Sequence, residues 1–106
     1  MKKFAQRVYE QLMDVPKGKV TTYKLLAQAI GTKACRAVGS ALRCNPYAPN
    51  VPCHRVIASN MTLGGFRGSK EVKTLAQKRK LLASEGITFS MNKVNTHHLF
   101  DFNRIK

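Results

Sequence analysis

Three prolines fall within the eight residues from Asn45 to Pro52, and this run constrains the fold more than any other feature of the chain. Proline has no backbone N–H and a fixed φ, so neither a helix nor a central strand can pass through the run. The residues before it have helical periodicity, whereas those after it change to short apolar segments and glycine-containing loops. The run therefore predicts an ordered loop that presents the next residue, Cys53.

Apolar residues at helical spacing predict three helices before this loop, over residues 3–15, 23–30 and 34–43. Pro16 ends the first helix, Thr21 and Thr22 supply an N-cap for the second, and Gly31 breaks it. Two short helices joined by a glycine-containing turn predict a helix-turn-helix, with the third helix as the reading helix. The buried row of this helix is expected to be Ala34, Val38, Ala41 and Leu42. The opposite face is expected to carry Arg36, Gly39, Ser40 and Arg43.

The second part of the chain predicts less regular structure. A short strand is expected over 54–58, a loop or hairpin over 59–68, and a helix from Glu71 to Glu85 that Gly86 stops. The inner stripe of this helix is expected to be Val72, Leu75, Ala76, Leu82 and Ala83. Residues 87–89 are a candidate strand. The whole chain, 1–106, is predicted to be one domain with a core over about 3–88 and a tail, 89–106, of unassigned structure.

The charge balance points to a polyanionic partner. Nineteen Lys and Arg against five acidic residues give a net charge of +14 and a pI near 10.3. Nucleic acid is the commonest polyanion that binds a soluble domain. The sequence contains no run of about 18 apolar residues, so no membrane span is expected. The charged start is expected to be the edge of a helix and not a signal peptide. Three cysteines without a Cys-x-x-Cys pair predict reduced thiols in the cytosol, and no zinc site.

The pair Cys53 and His54 is the candidate for chemistry. A cysteine is nucleophilic as its thiolate, which a nearby base and cations such as Arg55 promote. Adjacent side chains on an extended chain point apart, so a bridging water between the two is expected. From these residues alone, an inert structural cysteine stays open as the alternative.

Six short motifs, in this order, resemble the C-terminal active-site domain of the 6-O-alkylguanine-DNA alkyltransferases. They are VPKGKV (15–20) followed by Tyr23, RAVG (36–39), NP (45–46), PCHRVI (52–57), GGFRG (64–68) and KLLASEG (80–86). The resemblance implies a mostly helical α+β fold, a winged-helix-like helix-turn-helix domain with a short β-hairpin. It also implies stoichiometric transfer of an alkyl group from the 6-oxygen of guanine to Cys53, with no cofactor.

The resemblance assigns a role to each matching residue. Cys53 accepts the alkyl group, His54 deprotonates it through water and Glu85 orients the histidine. Asn45 braces the turn, Tyr23 helps the guanine leave and Arg36 fills the gap left by the flipped base. Further contacts to DNA or to the base are expected from Thr22, Ala37, Gly39, Ser40, Arg43, Arg55, Val56, Phe66 and Arg67. The implied partner is duplex DNA with an alkylated guanine, bound through its minor groove by a monomer in the cytoplasm, at the nucleoid, or in a eukaryotic nucleus.

Two other interpretations stay open. Full-length family members usually carry a further N-terminal domain, and in length this chain resembles the alkyltransferase-like proteins, which bind alkylated guanine without repairing it but lack the cysteine. The second hypothesis is therefore a damage sensor with an unreactive thiol, and the third is a basic helix-turn-helix regulator. Cys35 and Cys44 are interpreted as structural thiols, and His97 and His98 as surface residues.

Overall fold

The computed structural model describes residues 3–47, 50–63, 72–100 and 102. Its helices are α1 (Phe4–Leu12), α2 (Tyr23–Ala29), α3 (Cys35–Arg43) and α4 (Val72–Ser84), with 3₁₀ turns at Cys53–Arg55 and Thr96–His98. Its strands are β1 (Thr21–Thr22), β2 (Val56–Ile57), β3 (Phe89–Ser90) and β4 (Lys93–Val94). The mostly helical α+β fold class predicted from the sequence is confirmed. In the part of the chain described, no helix has the length and apolar character needed to cross a membrane.

Helices α1, α2 and α3 pack around one core, and α2 and α3 form the predicted helix-turn-helix. The Thr22 hydroxyl accepts a hydrogen bond from the Leu25 N–H at 3.1 Å, which confirms the N-cap of α2. Gly31 allows the turn because its φ is +80°, in the region that favours glycine. The buried row of α3 is Val38, Ala41 and Leu42. The prediction that Ala34 belongs to this row is wrong, because α3 begins at Cys35 and Ala34 is exposed ahead of it.

The short parallel sheet β1–β2 connects the helical core to a second core. Thr21 pairs with Val56 and Thr22 pairs with Ile57. Successive residues of a strand point to opposite faces, so Val56 packs into the helical core and Ile57 into the second one. The buried members of the second core are Val20, Ile57, Leu82, Ile87 and Val94. The predicted strand over 54–58 is thus shorter, because residues 53–55 form a 3₁₀ turn.

Helix α4 ends at Ser84, and Gly86, with a φ of +90°, stops it as predicted. Its predicted inner stripe is wrong in part. Leu82 is fully buried, but Ala76 and Ala83 are exposed, and the fully buried side chain one turn before Leu82 is Lys78.

The segment after Gly86 belongs to the fold. β3 and β4 form an antiparallel hairpin in which Phe89 pairs with Val94. The candidate strand over 87–89 therefore begins two residues later, at Phe89, and ends at Ser90, because this pairing and not local apolar character sets its bounds. Residues 64–71, which include half of the predicted loop over 59–68, lie outside the described residues. His97 is exposed as predicted, but the prediction for His98 is wrong, because the last 3₁₀ turn buries it.

Candidate active site

The loop before Cys53 is held by one asparagine side chain. The Asn45 amide donates to the Val51 carbonyl at 2.9 Å, and its oxygen accepts from the Tyr47 N–H at 2.9 Å. The Cys53 N–H donates to the Val51 carbonyl at 2.8 Å, so the bracing reaches the cysteine directly. Asn45 therefore lies where a residue that fixes the Cys53 turn must lie. Cys53 itself is half-buried, against the helical core.

Beside the cysteine, Glu85 joins two residues of the Cys53–Arg55 turn. Arg55 binds the carboxylate with two hydrogen bonds, at 2.9 and 2.7 Å, and donates a third to the Val15 carbonyl at 2.9 Å. His54 Nε2 lies 3.1 Å from Glu85 Oε1, a contact in which the ring N–H is not aligned with the oxygen. Catalytic hydrogen bonds are often loosely aligned before substrate binds. The carboxylate thus holds both the ring and the guanidinium.

Burial and charge set the protonation of this cluster. Burial lowers the pKa of His54; Glu85 opposes this in part, while the cations Arg55 and Lys78 lower it further. Burial also disfavours ionisation of Glu85, but the hydrogen bonds from Arg55 and the close contact with His54 outweigh it and hold the pKa of Glu85 below its usual value. At neutral pH the pair is therefore a neutral imidazole beside a carboxylate. A neutral imidazole can accept a proton, which is what a base for the adjacent thiol must do.

Lys78 is the site residue that the sequence interpretation missed. Its ammonium donates to the Val56 carbonyl at 2.7 Å and to the Leu63 carbonyl at 2.6 Å. Burial lowers its pKa to about 8, an effect that the charge of Cys53 opposes. Lys78 therefore lies within electrostatic reach of the thiol and ties together both ends of the segment after it. The signal was its spacing, because residues 75, 78 and 82 share one row of a helix whose apolar members face inward.

Tyr23, the first residue of α2, faces the cysteine from the helix-turn-helix. It packs against the same core as Cys53. Burial raises the pKa of Tyr23, and the charge of Cys53 raises it further. The phenol is consequently protonated at neutral pH and can donate a hydrogen bond near the thiol.

The exposed face of α3 carries the predicted DNA-binding residues. Arg36, Ala37, Ser40 and Arg43 are all exposed there, and Gly39 among them is half-buried. Two arginines separated by small residues leave the helix backbone accessible to a groove. Cys35, at the start of the same helix, and Cys44, just after it, are both exposed, so neither packs as a structural thiol.

The remaining predicted contacts are placed differently. Thr22 is buried as a helix cap, the Arg55 guanidinium is bound to Glu85, and the Val56 carbonyl accepts from Lys78. These placements argue against DNA contacts by the side chains of Thr22 and Arg55, because both are engaged inside the fold. Phe66 and Arg67 lie outside the described residues. Among the residues that are described, no three His, Cys, Asp or Glu side chains gather as a metal site requires.

Comparison with known proteins shows which family the chain resembles. The sequence profile of the family "6-O-methylguanine DNA methyltransferase, DNA binding domain" matches residues 3–87. The methylated-DNA–protein-cysteine methyltransferase of Metallosphaera sedula is 48% identical over 83 residues, 78% of this chain and 49% of that protein. The Candida glabrata protein of the same name is 42% identical over 88 residues, 82% of this chain and 40% of that protein. The chain thus spans about half the length, or less, of these relatives.

Two solved structures are similar to this chain, and the match covers different shares of their own lengths. Mycobacterium tuberculosis OGT in complex with DNA has 41% identity and a TM-score of 0.71, with 80% of this chain and 50% of that chain covered. S. pombe Atl1 in complex with damaged DNA containing O6-carboxymethylguanine has 26% identity and a TM-score of 0.74, with 95% of this chain and 99% of that chain covered. Together with the profile match, which spans most of the chain, these findings show that the chain belongs to the 6-O-methylguanine DNA methyltransferase DNA-binding domain family.

Proposed function

We propose that this protein repairs DNA by direct reversal, transferring an alkyl group from the 6-oxygen of guanine in duplex DNA to Cys53. The observation that carries the proposal is the arrangement around the thiol. Asn45 braces the loop that bears Cys53, the next residue is a buried, neutral His54, and Glu85 contacts that histidine. A basic chain with an exposed arginine-bearing helix supplies the affinity for DNA.

The reaction is a displacement at the alkyl carbon. His54 takes the thiol proton through a bridging water, and Glu85 stabilises the resulting imidazolium. The thiolate sulfur then forms a bond to the alkyl carbon as the bond from carbon to the guanine oxygen breaks, and its electrons remain on the guanine. The Tyr23 hydroxyl stabilises this charge by hydrogen bonding. The thioether on Cys53 has no good leaving group, so each molecule reacts once.

Access to the damaged base requires that it leave the stack. Unstacking costs a few kcal/mol and exposes the alkyl carbon for in-line attack. We infer that α3 enters the minor groove, where its small residues allow close approach, and that Arg36 occupies the space of the extruded base. The protein would act as a monomer wherever the chromosome is, in the cytoplasm of a prokaryote or the nucleus of a eukaryote. It would need no cofactor.

The direct test uses a duplex with a single methylated guanine. We expect the intact mass of the protein to rise by one methyl group, with the label on the peptide that contains Cys53. A protein that binds this duplex in preference to an unmodified one and never gains the group would instead be a damage sensor. The 99% coverage of the Atl1 chain, in complex with damaged DNA, is the observation that favours this second candidate. Equal binding to both duplexes without transfer would indicate a basic regulator.

The pH profile of transfer is expected to follow His54. Because the pKa of His54 lies below 6.5, the imidazole is neutral above that pH and becomes protonated as the pH falls through its lowered pKa. With saturating DNA, the single-turnover rate constant should therefore be flat near neutral pH and fall on the acid side, with a midpoint below 6.5. His54→Gln should remove this acid limb, and His97→Gln, at an exposed histidine, should keep it. A midpoint near the ordinary cysteine value of about 8.5 would show that the thiol ionises without His54.

Arg36→Ala is expected to slow transfer from duplex DNA by about tenfold or more and leave transfer from a free alkylated guanine base almost unchanged. Only the duplex needs a side chain in the gap left by the base, and an exposed arginine contributes nothing to the core. Arg43→Ala, on the same exposed face, is the control and should weaken binding to all duplexes alike, as a phosphate contact does. Equal losses on duplex and free base would remove Arg36 from this role.

A further inference from the structure

The segment after α4 makes a β-bridge beside the sheet that leads into the active site. The Val20 N–H donates to the His98 carbonyl at 2.9 Å, and the Phe100 N–H donates to the Val20 carbonyl at 2.7 Å. Val20 and Leu99 thus pair in parallel. Alternate residues of a strand bond to opposite sides, and Thr21 pairs with Val56 on the other side. The segment from Val20 to Thr22 consequently lies between the segment that follows Cys53 and the bridge residue Leu99.

The His98 side chain anchors the segment that makes this bridge. It is 7% exposed, and its Nε2 accepts from the Thr88 N–H at 3.0 Å and lies 2.8 Å from the Thr88 hydroxyl. The hydroxyl accepts from the Asn95 amide at 2.7 Å, which leaves its own proton for Nε2. The other ring nitrogen, Nδ1, lies 3.3 Å from the Gly18 carbonyl. One neutral tautomer, protonated on Nδ1, satisfies both sides of the ring.

The groups around the ring keep it neutral. Burial lowers the pKa of His98, the adjacent His97 ring and Lys19 lower it further, and the Gly18 carbonyl opposes them. The His97 ring centroid lies 3.9 Å away, and the Lys19 ammonium donates to the His97 carbonyl at 3.1 Å. His98 therefore acts as an acceptor for Thr88 at neutral pH.

The hydrogen bonds of His98 with Thr88 and Gly18 lie close to parts of the chain that carry the active site. Gly18 lies in the turn before β1, with its Cα so close to the end of α4 that an added Cβ would lie 3.5 Å from the Glu85 carbonyl. β1 runs without a break into α2, whose first residue is Tyr23. After His98 in the chain, Phe100 and Phe102 contact each other edge to face. Both pack on the helical core that Tyr23 and Cys53 also contact. The segment that leads into Tyr23 is thus held from both sides.

We propose that His98 is a positioning residue for alkyl transfer, which holds the segment from Val20 to Thr22 so that the Tyr23 hydroxyl stays directed at the leaving guanine. This inference rests on the proposed function. The family profile ends at residue 87, so the role lies in a segment that the profile does not describe.

The kinetic test uses the full chain and single-turnover transfer from a methylated duplex. His98→Leu removes the acceptor and should slow the saturated rate constant by about tenfold, with the half-saturating DNA concentration unchanged because α3 is untouched. His98→Gln keeps a neutral acceptor and should recover most of the rate. His97→Gln, at the exposed neighbour, should match the wild type.

A double-mutant cycle separates positioning from general destabilisation. If His98 acts through Tyr23, His98→Leu should have almost no further effect on the rate in a Tyr23→Phe background. Independent effects, with the full tenfold loss retained in that background, would overturn the inference.

Amide hydrogen exchange makes the test independent of transfer. His98→Leu should speed exchange of the peptide covering residues 20–25, relative to the wild type and to His97→Gln, because the hydrogen bonds of the His98 ring with Thr88 and Gly18 are lost. Unchanged exchange there would overturn the inference even if transfer occurs. Wild-type protein that transfers nothing would overturn the proposed function, and with it the inference that His98 positions Tyr23 for transfer.

Discussion

Cys53→Ser is expected to abolish alkyl transfer completely and to leave binding to duplex DNA unchanged. A serine hydroxyl is far less ionised than a thiol near neutral pH and is a weaker nucleophile, and His54 cannot compensate for that difference. The fold should tolerate the change, because Asn45 braces the loop through backbone groups and none of its hydrogen bonds involves the sulfur. The variant therefore separates chemistry from recognition.

Intact mass after incubation with a methylated duplex is the measurement for this prediction, with binding followed in parallel. Cys35→Ser and Cys44→Ser are matched controls, since both thiols are exposed, Cys35 at the start of α3 and Cys44 just after its end. Each should gain one methyl group at the wild-type rate. A methyl group on Cys53→Ser, or a wild-type label on Cys44, would show that another side chain is the acceptor.

The parts of the fold that the sequence predicted correctly depend on local signals. The spacing of Val38, Ala41 and Leu42 and the threonine cap of α2 are properties of neighbouring residues, so the helix-turn-helix could be predicted. The bridge between Val20 and Leu99 and the hairpin of β3 and β4 could not be predicted in this way. Val20 and Leu99 are far apart in the chain, and β3 and β4 have two residues each, too few to produce a recognisable alternation.

The active site was likewise predictable only where neighbouring residues determine it. Residue types around Cys53 predicted a thiol with a base, but orientation depends on tertiary structure. Arg55 was expected at the DNA and instead faces Glu85, because the turn over residues 53–55 directs its side chain inward. Glu85 follows the C-terminal end of α4, where the helix dipole disfavours an acid. The hydrogen bonds from the Arg55 guanidinium and the contact with His54 offset that cost.

Lys78→Met is expected to lower the transfer rate constant by about two orders of magnitude, the second large effect that we predict. Methionine has a similar volume and fills the space, but it leaves the carbonyls of Val56 and Leu63 without the ammonium that joins them. These two residues begin and end the described part of the segment after the Cys53 turn. A small displacement of groups around a reacting atom costs about a hundredfold in rate. Lys80→Met, at an exposed lysine on the same helix, is the control and should transfer normally.

Stability against pH provides an independent check on the burial of this lysine. The folded-state pKa of Lys78, about 8, lies below its ordinary value of 10.5, so between these pH values the unfolded chain holds more protons on this residue than the folded one. The free energy of unfolding of the wild type, relative to Lys78→Met, should therefore rise as the pH increases from 8 to 10.5, by roughly 3 kcal/mol, and stay level below pH 8. Urea denaturation at several pH values measures this difference, and the titrating tyrosines cancel in it because both proteins contain them. The Lys80→Met comparison should be flat over the same range. A flat Lys78→Met comparison as well would mean that the Lys78 ammonium is solvated in the folded protein, and the slow transfer would then need another cause.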